Sequence, residues 1–158
     1  MDASGIGGSR TSQNDTAAKV VVQRVDEGQL LIDNEEEWLQ FGRGFVVYIC
    51  FLKGATTSTV AKIVDALFAC NHLEDPDSGK KASMAAKLKG NALQFHSLIM
   101  KEEGAALYAS LVTQIQNTAE QMEKATKGKT ITVVAGVYGN RQGLKFSSSG
   151  PNALNLTF

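Results

Sequence analysis

Tyr138-Gly139-Asn140-Arg141-Gln142-Gly143-Leu144-Lys145-Phe146 runs on into three serines, Ser147 to Ser149, and then Gly150-Pro151. It reads as a strand, a tight Gly/Asn turn, a second strand, and a Gly-Pro step held between strands. Glycine serves where a backbone bends or approaches another group closely, and proline fixes its own φ and offers no N–H. A sheet interior tolerates neither well, so Gly-Pro between strand-like residues marks an edge, a bulge or a site. The plain alternative is an ordinary turn before a last strand.

Upstream, the chain alternates short β-branched runs with two helical patterns. Lys19 to Val25 and Gln29 to Asp33, joined by Asp26-Glu27-Gly28, predict a hairpin. Asn34 to Glu37 form an acidic, solvated connection that Trp38 and Phe41 anchor to the core. Phe45 to Leu52 is apolar on both pleat faces, as expected of a strand covered on both sides. Thr56, Thr57 or Ser58 can cap a helix in which Val60, Ile63, Val64, Leu67 and Phe68 recur at helical spacing. His72 to Gly79 is a turn cluster. A second helix opens with Glu102 and Glu103, ends with Lys124 and Lys127, and stops at Gly128, an arrangement that suits the helix dipole. Its stripe of Tyr108, Leu111, Val112, Ile115, Ala119 and Met122 is core packing. Strands are then predicted over Thr130 to Val137, Leu144 to Ser147 and Ala153 to Phe158. The order β-β-β-α-α-β-β-β predicts an α+β fold, a mostly antiparallel sheet with two helices packed on it.

A chain of 158 residues is the size of one domain. Residues 1–18, polar and without an apolar run, are expected to be a disordered tail, and residues 19–158 the single domain. They lack both the apolar core of a secretory signal and the Arg-rich pattern of a transit peptide. No run is long enough to span a bilayer. Cys50 and Cys70 lie in apolar stretches and fit reduced thiols of a cytoplasmic protein. His72 and His96 are isolated, so no metal-ligand spacing is present. Sixteen basic residues balance sixteen acidic ones, and any contact with nucleic acid has to come from a local patch.

Gly44 to Ala55, Lys101-Glu102-Glu103-Gly104, Tyr138 to Gln142 and Gly150-Pro151, in this order, resemble the D-aminoacyl-tRNA deacylases. The likeness is greatest to the eukaryotic branch that places Tyr-Gly-Asn-Arg-Gln before Asn-Gly-Pro-Phe-Thr, and it covers most of residues 19–158. The resemblance implies a homodimer that hydrolyses the ester of a mischarged aminoacyl-tRNA, with neither metal nor organic cofactor. A rigid pocket of backbone groups holds the aminoacyl group, and a ribose hydroxyl of the tRNA assists. The Gly-Pro step of one subunit reaches into its mate's pocket, where its carbonyls screen chirality. On that likeness Gly150 and Pro151 are the screening element, with Arg24 near them. Arg24 is otherwise a strand-end surface arginine.

Two departures bear on this likeness. The family's other signature, a strand ending in Ser-Gln-x-Thr-Leu or Pro-Gln-Ala-Thr-Leu, has no counterpart: Lys81 to Ala86 run straight into Lys87-Leu88-Lys89-Gly90-Asn91. Removing a strand of about five or six residues from a sheet leaves ladder groups unpaired, at about 1–3 kcal/mol each. Two explanations stay open, a rebuilt and inactive relative or residues missing from the sequence. Around Gly150-Pro151, Ser149 stands where the family has Asn, and Ala153 cannot supply the hydroxyl of a Thr. Ser149 remains a candidate contact to substrate. Lys80, Lys81, Lys87 and Lys89 form a basic cluster suited to phosphate, or else a solvated loop. Phe95 can stack on an unpaired terminal base of the tRNA or pack in the core.

Overall fold

Residues 16–32, 36–69, 98–126, 130–140, 142–149 and 153–158 are described by the computed structural model. They form β1 (Ala18–Val25), β2 (Glu27–Leu31), β3 (Trp38–Phe41), β4 (Gly44–Phe51), α1 (Thr57–Ala69), α2 (Lys101–Thr126), β5 (Leu144–Ser147) and β6 (Ala153–Thr157). The α+β class is as expected. Two antiparallel sheets, ordered β4-β1-β6 and β3-β2-β5, accompany the two helices.

Each sheet takes one half of the same three runs. Residues 18–31 supply β1 and β2, 38–51 supply β3 and β4, and 144–157 supply β5 and β6, with 18–31 central in both sheets. This overturns the expected hairpin of residues 19–25 with 29–33. Only Asp26 separates β1 from β2, whereas reversing a chain takes a loop of at least two residues. The run therefore bends and continues into the other sheet.

The core lies under the first sheet. Ala18, Val20 and Val22 alternate onto one face, and with Phe51 they meet Val60, Ile63, Val64 and Leu67 of α1 and Leu111 of α2. Thr56 caps α1: its carbonyl accepts from Val60 N–H, and its own N–H donates to Thr59 Oγ1 at 3.0 Å. On α2 the predicted stripe holds, with Leu111 and Ala119 buried and Met122 left partly exposed.

Three further expectations change. Among the described residues β4 is covered on one side only, because both helices pack on the Val20–Val22 face, and Tyr48, on the opposite face of that strand, stays 43% exposed. Trp38 and Phe41 are the ends of a strand rather than anchors of a loop. Thr130 to Val137 is not a regular strand. Its Thr and Val residues favour an extended backbone, but it has no ladder partner among the described residues. Side chains hold it instead: Glu123 accepts from Ile131 N–H, and Gln142 Oε1 accepts from Val137 N–H at 2.7 Å. Residues 1–15 of the expected tail, Cys70, the turn cluster at 72–79 and the stop at Gly128 fall outside the described residues, whereas Ala18, expected in that tail, opens β1 fully buried because its backbone pairs with both neighbouring strands.

Candidate active site

The three runs must bend where they pass between sheets, and the register shows how each bend is built. On one side of the central run the ladder goes from Val25↔Gly44 to Gly28↔Phe41, so two residues face two. On the other side it goes from Gln23↔Ala153 to Glu27↔Ser147. There five residues, Ser148 to Asn152, face three, Arg24 to Asp26. Between these rungs the neighbouring strand therefore carries two residues more than the central run, the count of a bulged pair, and Gly150-Pro151 fall among its five in sequence.

Side chains tie down the limb that leads to it. Asp26 N–H donates to the Ser147 carbonyl at 2.9 Å. Ser148 Oγ donates to the Arg24 carbonyl at 2.8 Å and accepts from Gln23 Nε2 at 3.3 Å. Gln23 Nε2 also donates to the Arg24 carbonyl at 3.1 Å. Ser149 Oγ donates to Asp26 Oδ2. Arg24 and Ser149, named from the sequence, are thus brought to one bend. Ser149 is engaged by Asp26, which gives its hydroxyl a structural task. Gly150, Pro151, Phe95, Lys80, Lys81, Lys87 and Lys89 lie outside the described residues.

The turn before β5 is fixed just as firmly. The Val137 carbonyl accepts from Asn140 N–H at 3.2 Å, and Gly139 sits at φ +77 in the third position of that turn. This is the type II geometry that needs glycine there. Tyr138 packs against Tyr108 and Phe51, with ring centroids 5.6 and 6.2 Å apart. Burial raises the Tyr108 hydroxyl above its usual range, and a backbone hydrogen bond at Gly136 opposes the shift. Burial, then the Cys50 thiol, raises that of Tyr138, against a backbone hydrogen bond at Phe51.

Two features were not found from the sequence. Gln142 bridges segments, taking the Val137 N–H while its Nε2 donates to the Leu31 and Ile32 carbonyls at 3.1 and 3.4 Å. Its neighbour Gly136 has no room for a Cβ against that carboxamide. The other is an open recess of about 340 Å³ on the second sheet, bordered by Gly28, Phe41, Phe146 and Lys145. It reaches the Glu27–Ser147 pair, the last rung before the uneven bend. The lone signal for it is Gly28, a glycine inside a strand. A Cβ there would lie within contact of the Phe41 ring and 2.7 Å from the Lys145 carbonyl.

Among the described residues no three His, Cys, Asp or Glu side chains gather as a metal site, and no helix is long and apolar enough to cross a membrane. The family model described as D-Tyr-tRNA(Tyr) deacylase matches residues 21–86 and 80–157. D-aminoacyl-tRNA deacylase 2 of Danio rerio is 34% identical, over 85% of this chain and 94% of its own. The Homo sapiens protein of the same name is 32% identical, over 91% and 94%. A solved structure described as a probable eukaryotic D-amino acid tRNA deacylase superposes with a TM-score of 0.67 at 26% identity, covering 90% of this chain and all of that one. The c-Myc DNA Unwinding Element Binding Protein superposes at 0.62 with 22% identity, covering 87% and 97%, a likeness of fold. The two stretches matched by the family model overlap at 80–86, beside the point where the Gln-x-Thr signature is missing.

Proposed function

This chain belongs to the D-Tyr-tRNA(Tyr) deacylase family, and from that premise we propose that it hydrolyses the ester of mischarged aminoacyl-tRNA, as a cytoplasmic proofreading homodimer. Water adds to the ester carbonyl, the carbonyl carbon–ribose oxygen bond breaks, and the ribose oxygen leaves with a proton. The products are a free amino acid and an uncharged tRNA end. Oriented backbone groups do most of the work, by positioning the ester and by meeting charge as it develops. A ribose hydroxyl of the tRNA assists.

One observation supports this reading above the others. The five residues that carry the surplus on one side of the central run include Gly150-Pro151, and their leading limb is tied beside Arg24. A Gly-Pro step whose leading limb is braced suits a subunit that presents carbonyls to its mate's pocket. Gly150 and Pro151 are proposed as that element, with Arg24 and Ser149 at its base. Lys80, Lys81, Lys87 and Lys89 are proposed to meet tRNA phosphates, and Phe95 the terminal base.

The missing Gln-x-Thr signature favours a second reading, a non-catalytic relative that binds tRNA or protein on the same scaffold. An assay with D-aminoacyl-tRNA, and with L- and glycyl-tRNA, separates the two. Ester loss well above the buffer rate supports the hydrolase. None, at enzyme levels near those of the substrate, ends that reading. Light scattering that reports a monomer at working concentration removes the dimer.

A further inference from the structure

We propose that the outer edge of β4, from Phe45 to Ile49, is a docking site for an extended apolar peptide, which joins the sheet as a further strand. β4 lies at one edge of its sheet. Leu52 N–H donates to the Ala17 carbonyl at 2.8 Å, so the even-numbered residues of this run turn their backbone groups to β1. Direction alternates along a strand, and the odd-numbered residues therefore point outward. Phe51 follows this rule, since its carbonyl accepts from Ile99 N–H at 3.3 Å. Beyond it, the outward N–H and C=O groups of Ile49, Val47 and Phe45 meet no partner among the described residues.

Such an edge is ordinarily protected by charge, proline or a bulge. Phe45-Val46-Val47-Tyr48-Ile49 carries neither charge nor proline, and its pairing with β1 runs one to one from Gly44 to Phe51. Phe45 and Tyr48 on it stay 38% and 43% exposed. The order of elements says what kind of occupant fits. A strand followed by a helix packed on its own sheet opens a βαβ unit, whose second strand lies parallel to the first. β4 and α1 stand in that relation, with α1 against Val20 and Val22. Among the described residues the pairing after α1 on this edge is Leu52↔Leu98, antiparallel and just past the end of β4. The parallel position beside Phe45 to Ile49 stays without a strand there, and the sequence lacks the strand ending in Gln-x-Thr. A docked peptide satisfies the edge groups with its backbone. Its side chains extend the layer of Val47 and Ile49 on one face and lie beside Tyr48 on the other.

The probe is the synthetic peptide Val-Val-Ser-Gln-Ala-Thr-Leu, labelled for fluorescence anisotropy and titrated with the full chain. Saturable binding is expected. Hydrogen exchange should slow at the amides of Phe45, Val47 and Ile49, and stay unchanged at Val46 and Tyr48, which already bond to β1. Val47→Pro removes one outward N–H while sparing the β1 ladder, and should weaken binding about tenfold, the effect of one hydrogen bond. If that variant unfolds, Tyr48→Lys decides, because a charge on an edge strand opposes further pairing. Absence of saturable binding, or equal binding by the folded variants, overturns the proposal. So does protection of the same amides that appears without peptide and grows with protein concentration, which assigns the edge to a second copy of the chain. None of these readouts depends on hydrolysis, so their failure leaves the deacylase reading intact.

Discussion

The bend at Gly42-Arg43 and the bend after Ser147 flank the same central run, yet they are built differently. At the first, two residues face two, and a Cβ on Gly42 would meet nothing within 4 Å. At the second, five residues face three, and side chains brace the approach. The central run turns the same corner for both neighbours. Turning it therefore does not by itself require surplus residues.

That contrast is most strongly tested at Gly150. Gly150→Ala adds a Cβ at the proposed screening step, and on that proposal single-turnover hydrolysis should fall about a hundredfold, the cost of misplacing a reacting group by about 1 Å. Unchanged rate and selectivity would remove Gly150-Pro151 from the mechanism. Next in size is Gly28→Ala, on the central run just past both bends. Its Cβ meets the Phe41 ring and the Lys145 backbone, and crowding of this kind costs about 1–3 kcal/mol. Urea unfolding reads this directly, and an unshifted midpoint would mean that the second sheet yields easily.

Alkaline pH probes the tyrosines, among them Tyr138 of the turn before β5. Tyr48, Tyr108 and Tyr138 all have hydroxyls raised from 10.0. The folded chain therefore keeps their protons where the unfolded chain loses them. Stability from these groups is complete below about pH 10 and declines as pH rises from there through the folded values. Tyr138→Phe should flatten that decline in unfolding experiments run across the range, and an identical slope would show that Tyr138 is not responsible. The smallest effect belongs to the even bend. Gly42→Ala should stay within about 0.5 kcal/mol of wild type and leave hydrolysis unchanged. A large loss there would erase the distinction between the two bends.

Much of the fold was legible along the chain. Both helices, the strand from Gly44, and the last two strands follow from periodicity, capping residues and the dipole-matched charges of α2, all of which act within a few neighbours. The hairpin was misread because Asp26-Glu27-Gly28 has turn composition, and composition does not reveal that the strands on either side belong to different sheets. Thr130 to Val137 was misread for a related reason. β-branched residues fit a strand, but a strand exists only when another backbone supplies its hydrogen bonds. At the uneven bend, Arg24 and Ser149 were named through the family likeness. Gln23, Asp26 and Gln142 were not, because polar residues at strand ends look alike until their partners are known.

Alternation of apolar side chains, helix periodicity and the glycine of the Tyr138-Gly139 turn are properties of adjacent residues, and they settled the α+β class and most elements before any contact was known. The motifs spread over the chain also settled the family. Register belongs to pairs of residues more than a hundred positions apart, such as Gln23 with Ala153 and Glu27 with Ser147. Only the folded chain brings those pairs together. It therefore falls to tertiary structure to set Gly150-Pro151 among five residues that face three and to place Asp26 where it can hold Ser149.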